Sequence, residues 1–293
     1  MTEPLTVGLV GAGPWASMVH APMFAAGPDT RLAGVWARRP EAAAEVAEAN
    51  GATAAASIDE LFDRCEAVAF AVPPGVQAEL GVRAAQAGKA LFLEKPIGAD
   101  VASAERLVEA IEVARVATSV LLSWRYAEPT RSFLAGAADF DAIGAVGRFL
   151  SPGLLGGMFA TPWRLERGAL LDLGPHVFDL LDAALGPVVD VRASGRLDRW
   201  ISVALDHDSG VTSTALMSGH TAPDHFRSDV ELFSTGAVLG VDLAAAVGPE
   251  SFATACREFV EHVRHGRTSH DLDVHRGLHL QRLIEQAEQQ LIR

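Results

Sequence analysis

One lysine stands apart by its residue type and its position. Lys89 and Lys95 are the only lysines among the 24 basic residues, and Lys95 ends the apolar, strand-like stretch LFLEKP. An arginine keeps its proton at any working pH, whereas burial can shift a lysine ammonium toward neutrality, and the ammonium donates from a compact point. Lys95 is therefore a candidate for proton chemistry. A strand that merely ends in solvent at this position is the alternative interpretation.

A second candidate pair is Asp172 and His176, in the stretch GALLDLGPHVFDLLD. Pro175 predicts the start of a helix over residues 175–186, with Asp172 in the preceding turn. The positive end of that helix opposes protonation of His176, while the Asp172 carboxylate favours it. An imidazole balanced in this way titrates near neutrality, as a general acid or base should. An ordinary turn aspartate and a histidine satisfied by hydrogen bonds would leave the same pattern.

A glycine-rich loop follows the first predicted strand. The loop consists of Gly11, Ala12, Gly13, Pro14, Trp15 and Ala16, and matches G-x-G-x-x-G/A at the start of a predicted helix. Gly11 allows the tight turn, Gly13 lets a pyrophosphate approach the backbone, and Ala16 permits close packing of helix on strand. The loop therefore predicts a dinucleotide site, with a plain structural turn as the alternative.

The end of the second predicted strand indicates which dinucleotide binds. NAD sites usually carry an acid there to bind the ribose hydroxyls, but this chain reads Ala37-Arg38-Arg39. Arginine forks bind the 2′-phosphate that an acid would repel, so Arg38 and Arg39 favour NADP(H) over NAD(H). A solvated arginine pair at a helix start would look the same.

The elements that must position these residues alternate along the first part of the chain. Predicted strands lie at residues 5–10, 31–37, 66–74, 89–94 and 117–124, and predicted helices at 40–51, 76–88 and 100–115. Buried strands that alternate with helices of this length form parallel βαβ units. This half is therefore predicted to be a Rossmann domain, a doubly wound parallel sheet.

The pattern changes from about residue 125. Predicted strands at 200–207, 210–220 and 229–243 are joined by short turns, which is typical of an antiparallel sheet, and two helices at about 250–265 and 274–292 close the chain. The predicted fold class is α/β, with a C-terminal α+β domain built on a large, mostly antiparallel sheet. A length of 293 residues suits two domains. We expect them at residues 1–122 and 123–293.

Composition excludes several classes of function. A net charge of −13 opposes binding to nucleic acid or to an anionic membrane surface, and no apolar run reaches the ~20 residues that span a bilayer. The N-terminus lacks the positive region of a signal peptide, and the two cysteines suggest neither a disulfide framework nor a zinc site. The expected location is the cytoplasm, without a metal. The lone Tyr126 is followed four places later by Thr130, which excludes the Tyr-x-x-x-Lys chemistry of short-chain dehydrogenases.

In sequence order, the stretches VGLVGAGPWA, VPPGVQAELGVRAAQAGKALFLEKP and WRLERGALLDLGPHVFDLL resemble the glucose–fructose oxidoreductase / inositol dehydrogenase / MocA family. The resemblance implies that Lys95, Asp172 and His176 form the catalytic set, and that Glu94 and Pro73 lie along the nicotinamide and its ribose. It also suggests a lining for the substrate or nicotinamide pocket, from Arg125, Trp163 and Arg164. Two departures stand out. Arg167 precedes Gly168 where the family usually has a glycine pair, and Gln77 occupies a position often held by histidine.

The implied activity is NAD(P)-dependent hydride transfer between nicotinamide and the carbinol or carbonyl of a sugar, polyol or similar small hydroxylated compound. Two alternatives stay open: a nucleotide-binding sensor without turnover, which intact Lys95, Asp172 and His176 argue against, and a reductase of a non-sugar carbonyl compound. Apolar strands in a C-terminal domain with few helices predict a homodimer or homotetramer, because an uncovered sheet face needs a partner.

Overall fold

The computed structural model describes residues 3–292, and the chain divides into two compact units. The first unit contains the residues up to Leu121 together with Phe252–Leu278, and the second contains Leu122–Ser251 together with the residues from His279 onward. The return of residues 252–278 to the first unit differs from the single boundary expected between residues 122 and 123.

A five-stranded parallel sheet forms the centre of the first unit. Its strands are β1 (Leu5–Val10), β2 (Thr30–Trp36), β3 (Ala67–Phe70), β4 (Ala90–Leu93) and β5 (Thr118–Val120), in the order β2-β1-β3-β4-β5. Every residue of the last three strands is buried, as expected for strands covered on both faces. The predicted Rossmann sheet is confirmed.

Several helices accompany this sheet, and two of them begin at a capping side chain. A π-helix (Ala16–His20) runs into α1 (Ala21–Ala25), followed by α2 (Pro40–Ala49), α3 (Ile58–Asp63), α4 (Pro74–Gln86) and α5 (Val101–Ala114). Asp100 caps α5 by accepting from the backbone N–H of Ser103 at 2.7 Å. The short α3 was not predicted, although Ser57 accepts from the Glu60 N–H as a capping residue does.

The second unit is built on a six-stranded sheet. A 3₁₀ helix (Ser123–Tyr126) is followed by α6 (Glu128–Ala137), β6 (Gly144–Leu150), α7 (Pro162–Leu185), β7 (Val188–Gly195), β8 (Ile201–His207), β9 (Thr212–Ser218), β10 (Arg227–Phe233) and β11 (Val238–Asp242). The strand order is β11-β10-β6-β9-β8-β7, and only the β6–β9 pair is parallel. The predicted mostly antiparallel sheet is confirmed.

The strand predicted over residues 229–243 is wrong, because the segment is a hairpin of β10 and β11. Ser234 turns the chain, since its N–H donates to the carbonyl of Ala237 at 2.9 Å and its Oγ accepts the Ala237 N–H at 3.0 Å. Ser and Gly in the stretch STGA are ordinary turn residues. An apolar run on both sides of the turn concealed them.

Helix α7 packs against one face of the six-stranded sheet. Gly147 in β6 makes room for it, because a Cβ atom there would lie 2.7 Å from Cγ1 of Val177. Alternate residues of a strand point to the same face of the sheet, and three such residues of β8 are fully buried: Ile201, Val203 and Leu205. Neighbouring strands β6 and β10 are also joined by ion pairs. The guanidinium of Arg148 in β6 pairs with Asp229 at 3.0 Å and with Glu231 at 2.8 Å, both in β10.

Two helices end the chain, α8 (Pro249–Arg264) and α9 (Val274–Glu288). Phe259 of α8 is fully buried and meets the Phe92 ring of β4 edge to face, with ring centroids 5.2 Å apart. Residues distant in sequence therefore complete the core of the first unit. Within residues 3–292, no helix is long and apolar enough to cross a membrane.

Candidate active site

The glycine loop has the backbone that a dinucleotide site requires. Gly11 adopts φ +125°, and a Cβ atom there would overlap the carbonyl oxygen of Ala71. Around Gly13, by contrast, no described atom lies within 4 Å of the place a Cβ would take, and Ala16 is fully buried. A tight turn, open space and a helix start thus follow one another, which fits a pyrophosphate.

Trp15 of this loop makes a contact that the sequence did not predict. Its indole N–H donates to Oε1 of Glu94 at 2.6 Å, and Nε2 of the fully buried His20 lies 2.7 Å from the same oxygen. An indole nitrogen can only donate, so Oε1 accepts. The Glu94 carboxylate is therefore held both from the glycine loop and from the helix that follows it. His20 was missed because nothing local marks a partner 74 positions away.

Lys95 lies two residues after the end of β4 and is half-buried, with Glu94 between it and the strand. The fully buried Gln77, in the first turn of α4, bonds through its side-chain amide to the backbone of Glu94 and Pro96. Pro73 is the residue that precedes α4. The structure therefore brings the predicted Glu94 and Lys95 together with Trp15, and adds His20 and Gln77 to the set.

Arg38 and Arg39 lie between β2 and α2, and both side chains are exposed. The neighbouring Trp36 carbonyl accepts the N–H of Gly11 at 2.8 Å, so the arginines follow closely on a residue that contacts the glycine loop. Within residues 3–292, neither guanidinium forms a salt bridge with a carboxylate. Both are free to bind an anion.

In the second unit, α7 carries the predicted residues other than Arg125. Asp172, His176 and Asp179 recur at positions i, i+4 and i+7, which lie above one another on a helix. Nε of Arg164 lies 3.0 Å from Oδ2 of Asp172, and the Arg164 guanidinium lies 4.6 Å from the centroid of the Trp163 ring. Four of the predicted residues are thus gathered on this helix.

His176 is buried against two aromatic rings that also contact each other. Its ring centroid lies 5.0 Å from that of Trp124 and 6.1 Å from that of Phe149. Arg125, predicted near the substrate, donates through Nη1 to Oδ1 of the buried Asp179 at 3.1 Å. This hydrogen bond of Arg125 holds the 3₁₀ helix to α7.

The predicted start of this helix at Pro175 is wrong. Helix α7 begins at Pro162, is kinked at Gly168 (φ 69°, ψ −170°), and contains Pro175 in its interior. Asp172 therefore lies in the helix rather than in a turn, and His176 is not in the first turn, so the helix end does not act on it as expected. Burial of nearly every residue from Gly168 to Asp182 outweighs the lost N–H of the proline.

The departure from the family pattern at Arg167 and Gly168 has a structural explanation. Nη2 of Arg167 pairs with Oε2 of Glu288 in α9 at 2.7 Å. Gly168 has a positive φ, and a Cβ atom there would overlap the carbonyl oxygen of Leu197. The arginine is thus bound to α9, while the glycine is needed for the kink.

The described residues offer neither a metal-binding cluster nor a reactive thiol. Among residues 3–292, no group of three or more His, Cys, Asp or Glu side chains is arranged to hold a metal ion. Burial raises the pKa of the Cys65 thiol to about 11 and that of Cys256 to about 12. Neither thiol is therefore ionised for nucleophilic attack at neutral pH.

Comparison with known proteins gives two family matches that together cover most of the chain. The model of an oxidoreductase family with an NAD-binding Rossmann fold (GFO_IDH_MocA) matches residues 5–121, and the GFO/IDH/MocA C-terminal domain matches residues 142–239. A dTDP-3,4-didehydro-2,6-dideoxy-alpha-D-glucose 3-reductase of Streptomyces violaceoruber is 31% identical over 65% of this chain and 57% of its own. An inositol 2-dehydrogenase of Rhizobium meliloti (strain 1021) is 30% identical over 73% of this chain and 66% of its own.

The matched stretches span less than two thirds of the length of these curated relatives. The fold matches over a greater length. A crystal structure of GenD2 from gentamicin A biosynthesis in complex with NAD superposes with a TM-score of 0.86 at 21% identity, covering 99% of this chain and 95% of the other. The resemblance found in the sequence is confirmed: the chain belongs to the glucose–fructose oxidoreductase / inositol dehydrogenase / MocA family of oxidoreductases.

Proposed function

We propose that this protein transfers a hydride between a nicotinamide dinucleotide and the carbinol or carbonyl carbon of a sugar, polyol or similar small hydroxylated compound. The observation that carries the proposal is that one chain holds both an intact Glu94-Lys95-Pro96 segment after β4 in its first unit and Asp172 and His176 on one face of α7 in its second. A bound nicotinamide supplies the hydride acceptor for oxidation and the donor for reduction.

Each residue has a defined role in oxidation. His176 accepts the proton of the substrate hydroxyl, and its ring is held in place by Trp124 and Phe149. Lys95 donates a hydrogen bond to the reacting oxygen and stabilises its developing negative charge. Asp172 supports the proton transfer electrostatically while Arg164 pairs with it. Reduction uses the same groups in the opposite order.

The test is a panel of substrates followed at the absorbance of reduced nicotinamide, including myo-inositol, levoglucosan and sugars, with each cofactor. Lys95→Met should lower turnover by ~10² or more, because it removes the donor to the oxyanion. Lys89→Met is the matched control, since Lys89 donates to the carbonyl of Cys65 at 3.0 Å and should leave turnover unchanged. His176→Ala should flatten the pH–rate profile near neutrality. Full turnover in Lys95→Met would refute the assignment.

We also propose that NADP(H) is favoured over NAD(H), because Arg38 and Arg39 are exposed next to the glycine loop. A charge-assisted bond to the 2′-phosphate contributes roughly 1.5–3 kcal/mol. This corresponds to about a ten- to hundredfold preference. Arg38→Ala should weaken NADP(H) binding by that factor and change NAD(H) binding little, as measured by fluorescence titration. Equal wild-type affinities for the two cofactors would contradict it.

The remaining proposals concern organisation. Residues 1–122 bind the dinucleotide and residues 123–293 bind substrate and assemble, with residues 252–278 added to the first unit.

We propose a homodimer or homotetramer that forms through the six-stranded sheet. Leu216 of β9 and Arg148 of β6 are neighbours in the strand register, and both are only half-buried. Light scattering that shows only the 30.9 kDa chain at micromolar concentration would contradict assembly. The buried free cysteines suit the cytoplasm, which we propose as its location.

A further inference from the structure

Gln77 occupies an unusual position in the first unit. It lies in the first turn of α4, just after Pro73 and Pro74, and its side chain is fully buried. Its Nε2 donates to the carbonyl of Glu94 at 2.7 Å and to the carbonyl of Pro96 at 3.2 Å, while its Oε1 accepts the N–H of Glu94 at 2.8 Å. All of these bonds go to the backbone on either side of Lys95.

The amide of Gln77 replaces a strand that is missing at this point of the sheet. The pairing of β4 with β3 ends at Phe92, and its pairing with β5 ends at Leu93. Glu94 therefore lies beyond the ladder with a partly buried N–H and C=O that need partners. One primary amide satisfies both groups, as the peptide group of a neighbouring strand would.

The side chain of Glu94 is fixed as well. Trp15 and His20 both bond to its Oε1, at 2.6 and 2.7 Å. Residue 94 is thus held at its N–H, its C=O and its carboxylate, and residue 96 at its C=O. The Lys95 ammonium is carried on a long, flexible side chain, so the backbone must supply a fixed starting point for it. A shift of the backbone at residue 95 would displace the ammonium from the reacting oxygen.

We propose that Gln77 is a positioning residue for Lys95: its amide fixes the peptide groups on both sides of that lysine and so sets where the ammonium meets the substrate oxygen. The inference rests on the proposed catalytic role of Lys95. An amide suits this task better than an imidazole, because it offers two donors and one acceptor and does not titrate. A neutral histidine offers one donor and one acceptor, and loses the acceptor on protonation.

The first test is Gln77→Glu, which preserves shape but replaces the donor by a carboxyl group. Ionised, this group repels the two carbonyls, so kcat at pH 8 should fall about ten- to hundredfold while NADPH affinity stays within about threefold. Burial raises the pKa of the introduced carboxyl, and its protonated form can donate again. The kcat ratio to wild type should therefore recover as the pH falls toward 5.5. Gln86→Glu, the same change at the exposed end of α4, is the control.

Gln77→His should show the opposite trend. Its neutral ring keeps one donor and one acceptor, so kcat should stay closest to wild type above pH 7. It should fall when the pH drops below the ordinary histidine pKa of about 6.5, because the ring then loses its acceptor. A merely structural role of Gln77 would not give opposite pH trends in the two variants. Trends in the same direction, or none, would overturn the proposal.

A measurement without substrate separates this inference from the proposed function. Reductive methylation with ¹³C-formaldehyde labels Lys89, Lys95 and the N-terminal amine, and Lys95→Met identifies the Lys95 signal. In Gln77→Glu the Lys95 signal should shift while the Lys89 signal stays. An unmoved Lys95 signal would overturn the positioning role whatever the turnover. A shifted signal together with full activity of Lys95→Met would support positioning and refute the catalytic role of the lysine.

Discussion

Lys95 and His176 are held by scaffolds of different kinds. Lys95 follows a strand of four residues, and the polar partners that fix its neighbours lie 17 to 79 positions away in the chain. His176 lies within a helix of 24 residues that is fixed mainly by apolar packing and by one glycine kink. Polar bonds distant in sequence therefore fix the surroundings of Lys95, whereas local helical spacing brings Asp172 and His176 together.

Because the two scaffolds differ, substitutions in them should affect catalysis and stability differently. Loss of one polar partner beside Lys95 should change catalysis more than stability, because the strand itself remains paired. Displacement of α7 should change both, because Asp172, His176 and Asp179 move with the helix that forms the core of their unit.

The largest expected effects come from the two cores. Phe259→Ala in α8 and Phe178→Ala in α7 each remove a fully buried ring, and each should lower the free energy of unfolding by about 3–5 kcal/mol. Urea unfolding measures both. Because Phe259 packs on β4, only its loss should also weaken NADPH binding to the folded protein. Equal weakening in both variants would contradict the separate roles of the two cores.

A smaller effect is expected at the kink of α7. Gly168→Ala should cost about 1–3 kcal/mol for its backbone strain alone, and lower kcat as well, since the overlap with Leu197 displaces the helix. Gly174→Ala is the matched control in the same helix, where an added Cβ makes ordinary contacts of 3.5–3.8 Å. Helix propensity even favours that change. Thermal unfolding and kcat distinguish the two, and equal stability of both variants would show that the kink is not required.

The smallest effect is a pH dependence in the first unit. Burial lowers the pKa of His262, and the stacked ring of His270 lowers it further. A histidine of this kind binds a proton more readily in the unfolded chain, so stability is present above the unfolded value of about 6.5 and falls as the pH drops below it. His262→Gln should reduce this fall, measured by urea midpoints between pH 7.5 and 5, whereas the exposed His265→Gln should not.

The sequence predicted what depends on local order. The parallel strands, the glycine loop and the i, i+4 spacing of Asp172 and His176 are visible in short stretches. The start of α7 was wrong because Pro175 resembles a first helical residue, and only the packing around it shows that the helix continues through it. His20 and Gln77 were missed as members of the site because their partners come from another element. The cofactor role of Trp15 stays a prediction, and the bond of its indole to Glu94 was not visible in the sequence.

The return of residues 252–278 to the first unit affects folding during synthesis. The strands of the first sheet leave the ribosome early, but the Phe92 ring cannot pack against Phe259 until that residue has been translated, 167 residues later. At ribosomal rates of about 5–20 residues per second, this delay is roughly 8–33 s. During that interval the face of β4 that α8 will cover presents an aromatic surface to the cell, so the nucleotide-binding half, although made first, is finished almost last.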